Sequence, residues 1–138
     1  QGTRRLYVSR KDGLGRHVHN NDEVLALLKP LGFEEVVLSP LTVKEQMQLF
    51  ADAEFIISPH GAGLLNGVFS GAETKVIELF SPRLVVPPLY QQLTSIGLRY
   101  GFLVGEDNDS ICEGYPKFQE PIEVDTTKLE RLILMLGD

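Results

Sequence analysis

Short apolar runs alternate with amphipathic stretches along the chain, and this alternation predicts strands and helices in turn. The runs predicted as strands are residues 6–8, 35–38, 55–58, 75–80 and 100–104. The stretches predicted as helices run from Asn20 or Asn21 to Gly32, from Ser39 or Thr42 to Phe50, through Leu65 and Phe69, over residues 89–96, and over residues 128–136 behind a Thr126 cap. Residues 105–120 are rich in turn formers, so we expect a loop there.

Strands that alternate with helices over short connections predict an α/β fold, with a Rossmann-like, doubly wound and mostly parallel sheet. In such sheets ligands bind beyond the carboxyl ends of the strands. Three segments are expected at that edge: the basic loop of residues 10–17, the turn at His60, and Glu78 near the end of the fourth strand.

Composition fits one globular domain covering residues 1–138, since 43% of the residues are hydrophobic and 23% are charged. The net charge of −6 argues against nucleic acid as a partner, because such binders usually carry a basic surface. Cys112 is the only cysteine, so an intrachain disulfide and a cysteine-based zinc site are excluded. No apolar run reaches the length of a membrane span, and no signal peptide is recognised, so we expect a cytoplasmic location. The start at Gln1 predicts a fragment of a longer protein.

Residues 55–66 are the most informative segment, because an apolar strand there breaks into a glycine-spaced turn and reopens as a helix. Such a turn aims unpaired backbone N–H groups at a ligand and is typical of phosphate sites. We expect the turn from Pro59 through His60, Gly61, Ala62 and Gly63 to bind an anion, with His60 donating to a phosphate oxygen. The alternative is a tight strand-to-helix connection with a solvated histidine.

Arg10, Lys11, Arg16 and His17 form the densest positive cluster of this acidic chain. Arginine grips phosphate oxygens with two nitrogens, and lysine acts as a mobile point charge, so both suit a departing diphosphate. The alternative is a solvated basic loop.

Glu78 lies inside an apolar strand, where a carboxylate is costly unless it is paired or reaches water. It is predicted to accept the two hydroxyl groups of a ribose or, alternatively, to form a salt bridge. Asn66 lies close behind Gly63 and is a further candidate ligand, because its amide both donates and accepts.

Metal and hydrolase sites are less well supported. The acidic run from Glu106 to Asp109 resembles a carboxylate pair for Mg²⁺ or Mn²⁺, yet its composition is that of a solvated turn, so no metal is expected. His17 and His19 lack a third ligand for zinc. No serine stands in a nucleophile-elbow pattern.

The chain resembles the C-terminal half of glycosyltransferase family 61, which includes bacterial capsular-polysaccharide-type transferases and eukaryotic xylosyl- and N-acetylglucosaminyltransferases. The likeness covers about residues 4–80. Its carriers are the segment from Arg5 to Lys11, the triplet from Asn21 to Glu23, and residues 50–80 with the blocks Pro59 to Leu64 and Lys75 to Phe80.

The resemblance implies one half of a GT-B architecture of two Rossmann-like domains, and an inverting transfer that needs no metal. The donor would be a nucleotide sugar, with UDP expected, and no other cofactor. The acceptor would be a glycan or polysaccharide held by a second domain, which would also supply the general base, so this chain alone would be inactive. The predicted donor-binding residues are Ser9, Arg10, Lys11, Arg16, Pro59, His60, Gly61, Ala62, Gly63, Asn66 and Glu78.

Two other functions stay open on sequence grounds. The first is a non-catalytic α/β module whose glycine turn recognises another phosphate or a partner. The second is a small phosphatase or kinase, which is disfavoured because the chain lacks a Walker pattern and a nucleophile beside a base.

Overall fold

The structure is a computed structural model, and it describes residues 2–13, 15–61, 70–85, 94–95 and 97–137. Its strands are β1 (Arg4–Val8), β2 (Phe33–Val36), β3 (Ala53–Pro59), β4 (Lys75–Phe80) and β5 (Arg99–Val104). The described helices are α1 (Asn21–Leu28), α2 (Val43–Ala51), α3 (Asp109–Cys112) and α4 (Thr126–Gly137), with 3₁₀ turns at Lys29–Leu31 and Lys117–Gln119. All neighbouring strands pair in parallel, which confirms the predicted α/β, Rossmann-like fold.

Apolar side chains cover the sheet on both faces because alternate residues of each strand point in opposite directions. Tyr7 belongs to the cluster packed against α1 and α4, whereas Leu6 and Val8 belong to the cluster packed against α2. The first cluster is Tyr7, Val18, Val24, Leu28, Phe33, Phe55, Ile57, Ile77, Leu79, Ile122, Val124, Leu129 and Ile133. The second is Leu6, Val8, Leu49, Phe50, Ala53, Ile56, Val76 and Leu98.

The strands follow the order β2-β1-β3-β4-β5, so the winding direction reverses between β1 and β3. Helix α1 leads from β1 outward to β2, and α2 leads back across the other face to β3. The connections therefore leave the carboxyl ends of β1 and β3 in opposite directions. A crevice is expected between those two ends, and it is where α/β sheets of this kind bind ligands.

Strand β2 begins two residues earlier than the sequence predicts. Gly32 adopts a left-handed conformation with φ of 86°, and its N–H donates to the carbonyl of Lys29, which ends the preceding turn sharply. The chain then enters the sheet directly at Phe33, whose ring packs edge-on against Phe55 at 5.2 Å. The sequence predicts this strand at residues 35–38 because its pattern does not show that one residue, Gly32, connects the turn to the strand.

Of the predicted helix caps, Thr42 is confirmed, Thr126 is wrong, and Asn20 stands at the N-cap position of α1 without a capping hydrogen bond. Thr42 caps α2 in a full capping box with Glu45, so Thr42 rather than Ser39 opens that helix. Asp125, not Thr126, accepts from the first N–H groups of α4. The Asn20 side chain caps nothing, since its amide exchanges hydrogen bonds with the backbone of Val124.

The predicted loop of residues 105–120 contains the single-turn helix α3 and a 3₁₀ turn, which is a small correction. The predicted helix through Leu65 and Phe69 lies outside the described residues, as does most of the predicted helix at residues 89–96. Within the described parts of the chain, no helix is both long and apolar enough to span a membrane.

Candidate functional site

The predicted site residues that the structure describes lie at the carboxyl ends of β1, β3 and β4. A cavity of about 300 Å³ opens between the ends of β1 and β3, on the side of α2. Its walls include Ser9 and Arg10 after β1, Ser58 and Pro59 at the end of β3, and Gly61 in the turn beyond. The cavity thus occupies the crevice that the strand order predicts.

Arg10 and Arg16 converge on Gly61. A Cβ atom on Gly61 would lie 3.1 Å from Nη1 of Arg10 and 3.8 Å from Nη1 of Arg16. Both guanidinium groups therefore lie directly against the backbone of the predicted anion-binding turn. Glycine leaves room for the guanidinium of Arg10, which would have to shift by a few tenths of an ångström if Gly61 carried a side chain.

Neither arginine forms an ion pair with a residue that the structure describes, although the charge of Asp12 acts on Arg10 and partly offsets the lowering of its pKa. Arg10 donates from Nε to the carbonyl of Gly15 at 3.1 Å, and Nε of Arg16 is buried without any hydrogen-bond partner. Burial, followed by the charge of Arg16, lowers the pKa of the Arg10 guanidinium. Two neighbouring cations with unfilled donors form a site that an anion would stabilise.

The loop that carries Arg16 is held in place by the segment before α4. The N–H of Arg16 donates to the carbonyl of Gln119, and His19 and Ile122 continue this pairing along both backbones. Arg16 itself has a positive φ of 55°, which is uncommon for a residue other than glycine. Gly15, with φ of 129°, lies so close to Gln119 that a Cβ atom would collide with it. The conformation of this loop is therefore fixed by contacts rather than left to a flexible chain.

Lys11 and Ser9 face a different neighbour. Nζ of Lys11 lies 3.0 Å from a carboxylate oxygen of Glu35, and the N–H of Lys11 donates to Oγ of Ser9 at 3.2 Å. The structure thus places Lys11 toward β2 and not beside Gly61. Sequence reasoning did not identify Glu35, because it follows Glu34 at the start of the predicted strand and does not interrupt an apolar run as Glu78 does.

Glu35 also joins a network beneath the sheet edge. It accepts from Asn21, whose side-chain oxygen accepts from the buried hydroxyl of Tyr7 at 2.6 Å. Burial alone would raise the pKa of the Glu35 carboxyl, but hydrogen bonds from Asn21, Lys11 and Ser9 and the charge of Lys11 together lower it. Burial and the charge of Glu35 raise the pKa of Tyr7. The network links the ends of β1 and β2 to the start of α1.

Glu78 is completely buried, and both of its carboxylate oxygens have partners. Oε2 lies 2.7 Å from Nδ1 of His60, and Oε1 accepts from the hydroxyl of Tyr100 at 2.5 Å. The ring of His60 stacks on Phe80 with centroids 5.2 Å apart. The sequence predicted His60 and Glu78 separately; Tyr100 was missed, because only the pairing of β4 with β5 brings it beside Glu78.

Ala62, Gly63 and Asn66, which the sequence also predicts as ligands, lie outside the described residues. Of the predicted turn, the structure therefore describes only Pro59, His60 and Gly61.

The acidic turn predicted to be a solvated segment uses its carboxylates in ion pairs. Asp109 pairs with Arg83, and Glu106 pairs with Lys128 at 3.0 Å. Among the described residues, no group of three or more histidine, cysteine, aspartate or glutamate side chains is arranged to hold a metal ion.

Burial, followed by the charges of His19 and Arg10, lowers the pKa of His17.

A comparison with protein families matches residues 1–77 to the family described as Glycosyltransferase 61. A comparison with curated proteins returned no match. The family match covers more than half of the chain and includes the basic loop, the turn at His60 and most of the sheet. Membership of this family supports glycosyltransferase activity. The chain belongs to glycosyltransferase family 61.

Proposed function

We propose that this chain is the donor-binding domain of an inverting glycosyltransferase, and that the diphosphate of a nucleotide sugar lies against Arg10, Arg16 and Gly61. The observation that carries the proposal is the convergence on Gly61 of two guanidinium groups, neither of which forms an ion pair with a described residue. A diphosphate supplies the negative charge and the acceptor oxygens that these groups lack.

The chemistry of sugar transfer explains why such a site is useful. When the glycosidic bond to the donor breaks, the nucleoside diphosphate gains negative charge, and fixed cations stabilise it most in the transition state. Arg10 donates from Nε to the carbonyl of Gly15, and the backbone of Arg16 is held by Gln119, so both cations lie near Gly61 before the donor binds. We propose that they take the part that a divalent cation plays in other transferases, so the reaction does not require a metal.

We assign the remaining predicted ligands to different parts of the site. Ser9 and Pro59 form a wall of the 300 Å³ cavity beside Arg10, which offers room for the rest of the donor. Lys11 acts from the rim, because Glu35 already holds its ammonium group. Ala62, Gly63 and Asn66, which lie outside the described residues, are proposed as further ligands on the sequence alone.

The acceptor side of the reaction rests on the resemblance alone. We propose a GT-B architecture in which a second Rossmann-like domain binds a glycan or polysaccharide acceptor and supplies the general base. A domain that only holds the donor would bind it without transferring the sugar.

Calorimetric titration of the chain with UDP and UDP-sugars tests the proposal. We expect binding with a Kd of about 1 mM or tighter, unchanged when EDTA is added. Absence of binding by any nucleoside diphosphate would contradict the donor-binding role. Equal binding of inorganic pyrophosphate and UDP would favour a non-catalytic phosphate-binding module instead.

A further inference from the structure

We propose that Glu78 and Tyr100 are positioning residues for His60: they hold its Nδ1–H turned into the protein, so that Nε2 is the ring atom offered to the donor. This inference rests on the proposed function, because it assigns a task to His60 in the same site.

The direction of the hydrogen bond follows from the chemistry of Glu78. A carboxylate can only accept, so the 2.7 Å contact between Oε2 and Nδ1 of His60 requires the proton on Nδ1. The alternative, a protonated Glu78 that donates to the ring, would leave Oε1 as the acceptor for Tyr100 and would forfeit the charge-assisted bond. A carboxylate with no exposed surface is stable only when both oxygens are satisfied, and here Tyr100 and His60 satisfy one each.

The rest of the surroundings fix the plane of the ring. Phe80 stacks on one face of His60 with an interplanar angle of 26°. The backbone N–H of His60 donates to the carbonyl of Leu79, which continues the pairing of β3 with β4 one residue past the strand. With the backbone, one ring face and Nδ1 all held, His60 has little freedom to turn.

The ring of His60 is a neighbour of Arg16. The two residues line the same small cavity of about 10 Å³, together with Ser81 and the buried Glu120. Nε2 is not taken by any residue that the structure describes, and the His60 side chain keeps 20% of its surface exposed. Nε2 is thus the ring nitrogen left to interact with the donor.

Glu78 was predicted from the sequence as a ribose ligand, and this proposal gives it another task. Its oxygens are engaged and its surface is covered, so it acts on the donor through His60. The same reasoning extends to Tyr100, which anchors the carboxylate from β5.

The first test uses the unliganded chain and does not depend on donor binding. Proton–nitrogen NMR correlations of the histidine rings report which nitrogen of His60 carries the proton. We expect protonated Nδ1 in the wild type, and a changed signal in Glu78→Gln and in Tyr100→Phe. Tyr7→Phe is the matched control, because it removes a buried hydroxyl on the other face of the sheet and should leave the His60 signal unchanged. A proton on Nε2 alone, or a signal that both site variants leave unchanged, would overturn the proposal.

The second test is a double-mutant cycle on UDP affinity. We expect Glu78→Gln to weaken binding about tenfold when His60 is present, and to have almost no effect in the His60→Ala background. Equal weakening in both backgrounds would show that Glu78 acts independently of His60, and would overturn the proposal. If Glu78→Gln does not fold, Tyr100→Phe takes its place in the cycle. If the wild type binds no UDP, the proposed function fails while the NMR result still decides the positioning role.

Discussion

The guanidinium group of Arg10 lies 3.1 Å from the point where a Cβ atom on Gly61 would stand, so the position of this group depends on glycine at residue 61. They come from the ends of two neighbouring strands, β1 and β3, that are separated by about fifty residues of sequence. Parallel pairing brings those ends together, and glycine allows the arginine to reach the backbone of the turn.

Replacing Gly61 with alanine should therefore weaken donor binding while leaving the fold intact. The added methyl group meets the end of a flexible side chain, so the Arg10 guanidinium shifts at little cost in stability. We expect UDP affinity to fall by about tenfold or more and the free energy of unfolding to change by less than about 1 kcal/mol.

Gly71→Ala is the control for this substitution, because its Cβ would make only ordinary contact, 3.8 Å from Thr74. Unchanged UDP affinity in Gly61→Ala, measured by calorimetry, would argue against a diphosphate at this turn.

Gly15→Ala should destabilise the protein as well as the site. The residue has φ of 129°, and a Cβ atom would stand 2.5 Å from atoms of Gln119, so the loop carrying Arg16 must move. We expect a loss of about 2–4 kcal/mol in the free energy of unfolding, measured by denaturant titration.

Gly114→Ala separates backbone strain from collision. Gly114 also has a positive φ, of 84°, but nothing lies within 4 Å of its Cβ position. We expect this variant to lose only about 1 kcal/mol. If both variants lost the same amount, the contact with Gln119 would not be what holds the loop.

Glu35 should make stability depend on pH in a defined direction. Its folded pKa lies below the ordinary value of 4.5, so its contribution is fully present above that value and is lost as pH falls through the folded pKa. Glu35→Gln should lower the free energy of unfolding by about 1–2 kcal/mol at pH 7, and the difference from the wild type should shrink below about pH 4.

The neighbouring Glu34 offers a matched control, since its exposed carboxylate pairs only with Arg4 at the surface. We expect Glu34→Gln to change the free energy of unfolding by less than about 1 kcal/mol. A difference for Glu35→Gln that stays constant from pH 7 to pH 3 would mean that the charge of Glu35 is not responsible.

The cap of α2 gives a test of local structure. Thr42→Ala removes the side-chain oxygen that accepts from the N–H of Glu45, and should cost about 1 kcal/mol of unfolding free energy. Ser39→Ala, at the position that the sequence left as an alternative cap, should have a smaller effect on thermal unfolding. The reverse order would contradict this prediction and would mean that the hydroxyl of Ser39, which donates to Asp12, contributes more to stability than the Thr42 cap.

The sequence predicted the fold well because most of the strands are short apolar runs bounded by turn residues. β3 contains the apolar run 55–57, and β4 is apolar on both sides of the buried Glu78, which is typical of strands buried on both faces. Local errors occurred where a single contact decides the structure. Phe33 enters the sheet early because Gly32 turns the chain. The side chain of Asn20 does not cap α1, because it forms hydrogen bonds with the backbone of Val124, which is distant in sequence.

The candidate site was predicted in part, because some of its residues stand out in the sequence. Arg10, Arg16 and Gly61 carry signals of their own, as arginines in a basic loop and a glycine in a turn, and the sheet order brings them together. Glu35 and Tyr100 could not be identified, because their importance comes from the partners that strand pairing gives them. Predicting them would need the register of the sheet as well as its existence.

The most direct test of the account is calorimetric titration of UDP into Arg16→Ala beside Arg4→Ala. Both variants remove one arginine, but Arg4 lies at the amino end of β1 and pairs with Glu34, whereas Arg16 lies against Gly61 with its Nε unpartnered. We predict at least a tenfold loss of UDP affinity in Arg16→Ala and wild-type affinity in Arg4→Ala, with both variants folded by circular dichroism. Wild-type affinity in Arg16→Ala, or equal losses in the two variants, would contradict a diphosphate site at Arg10, Arg16 and Gly61.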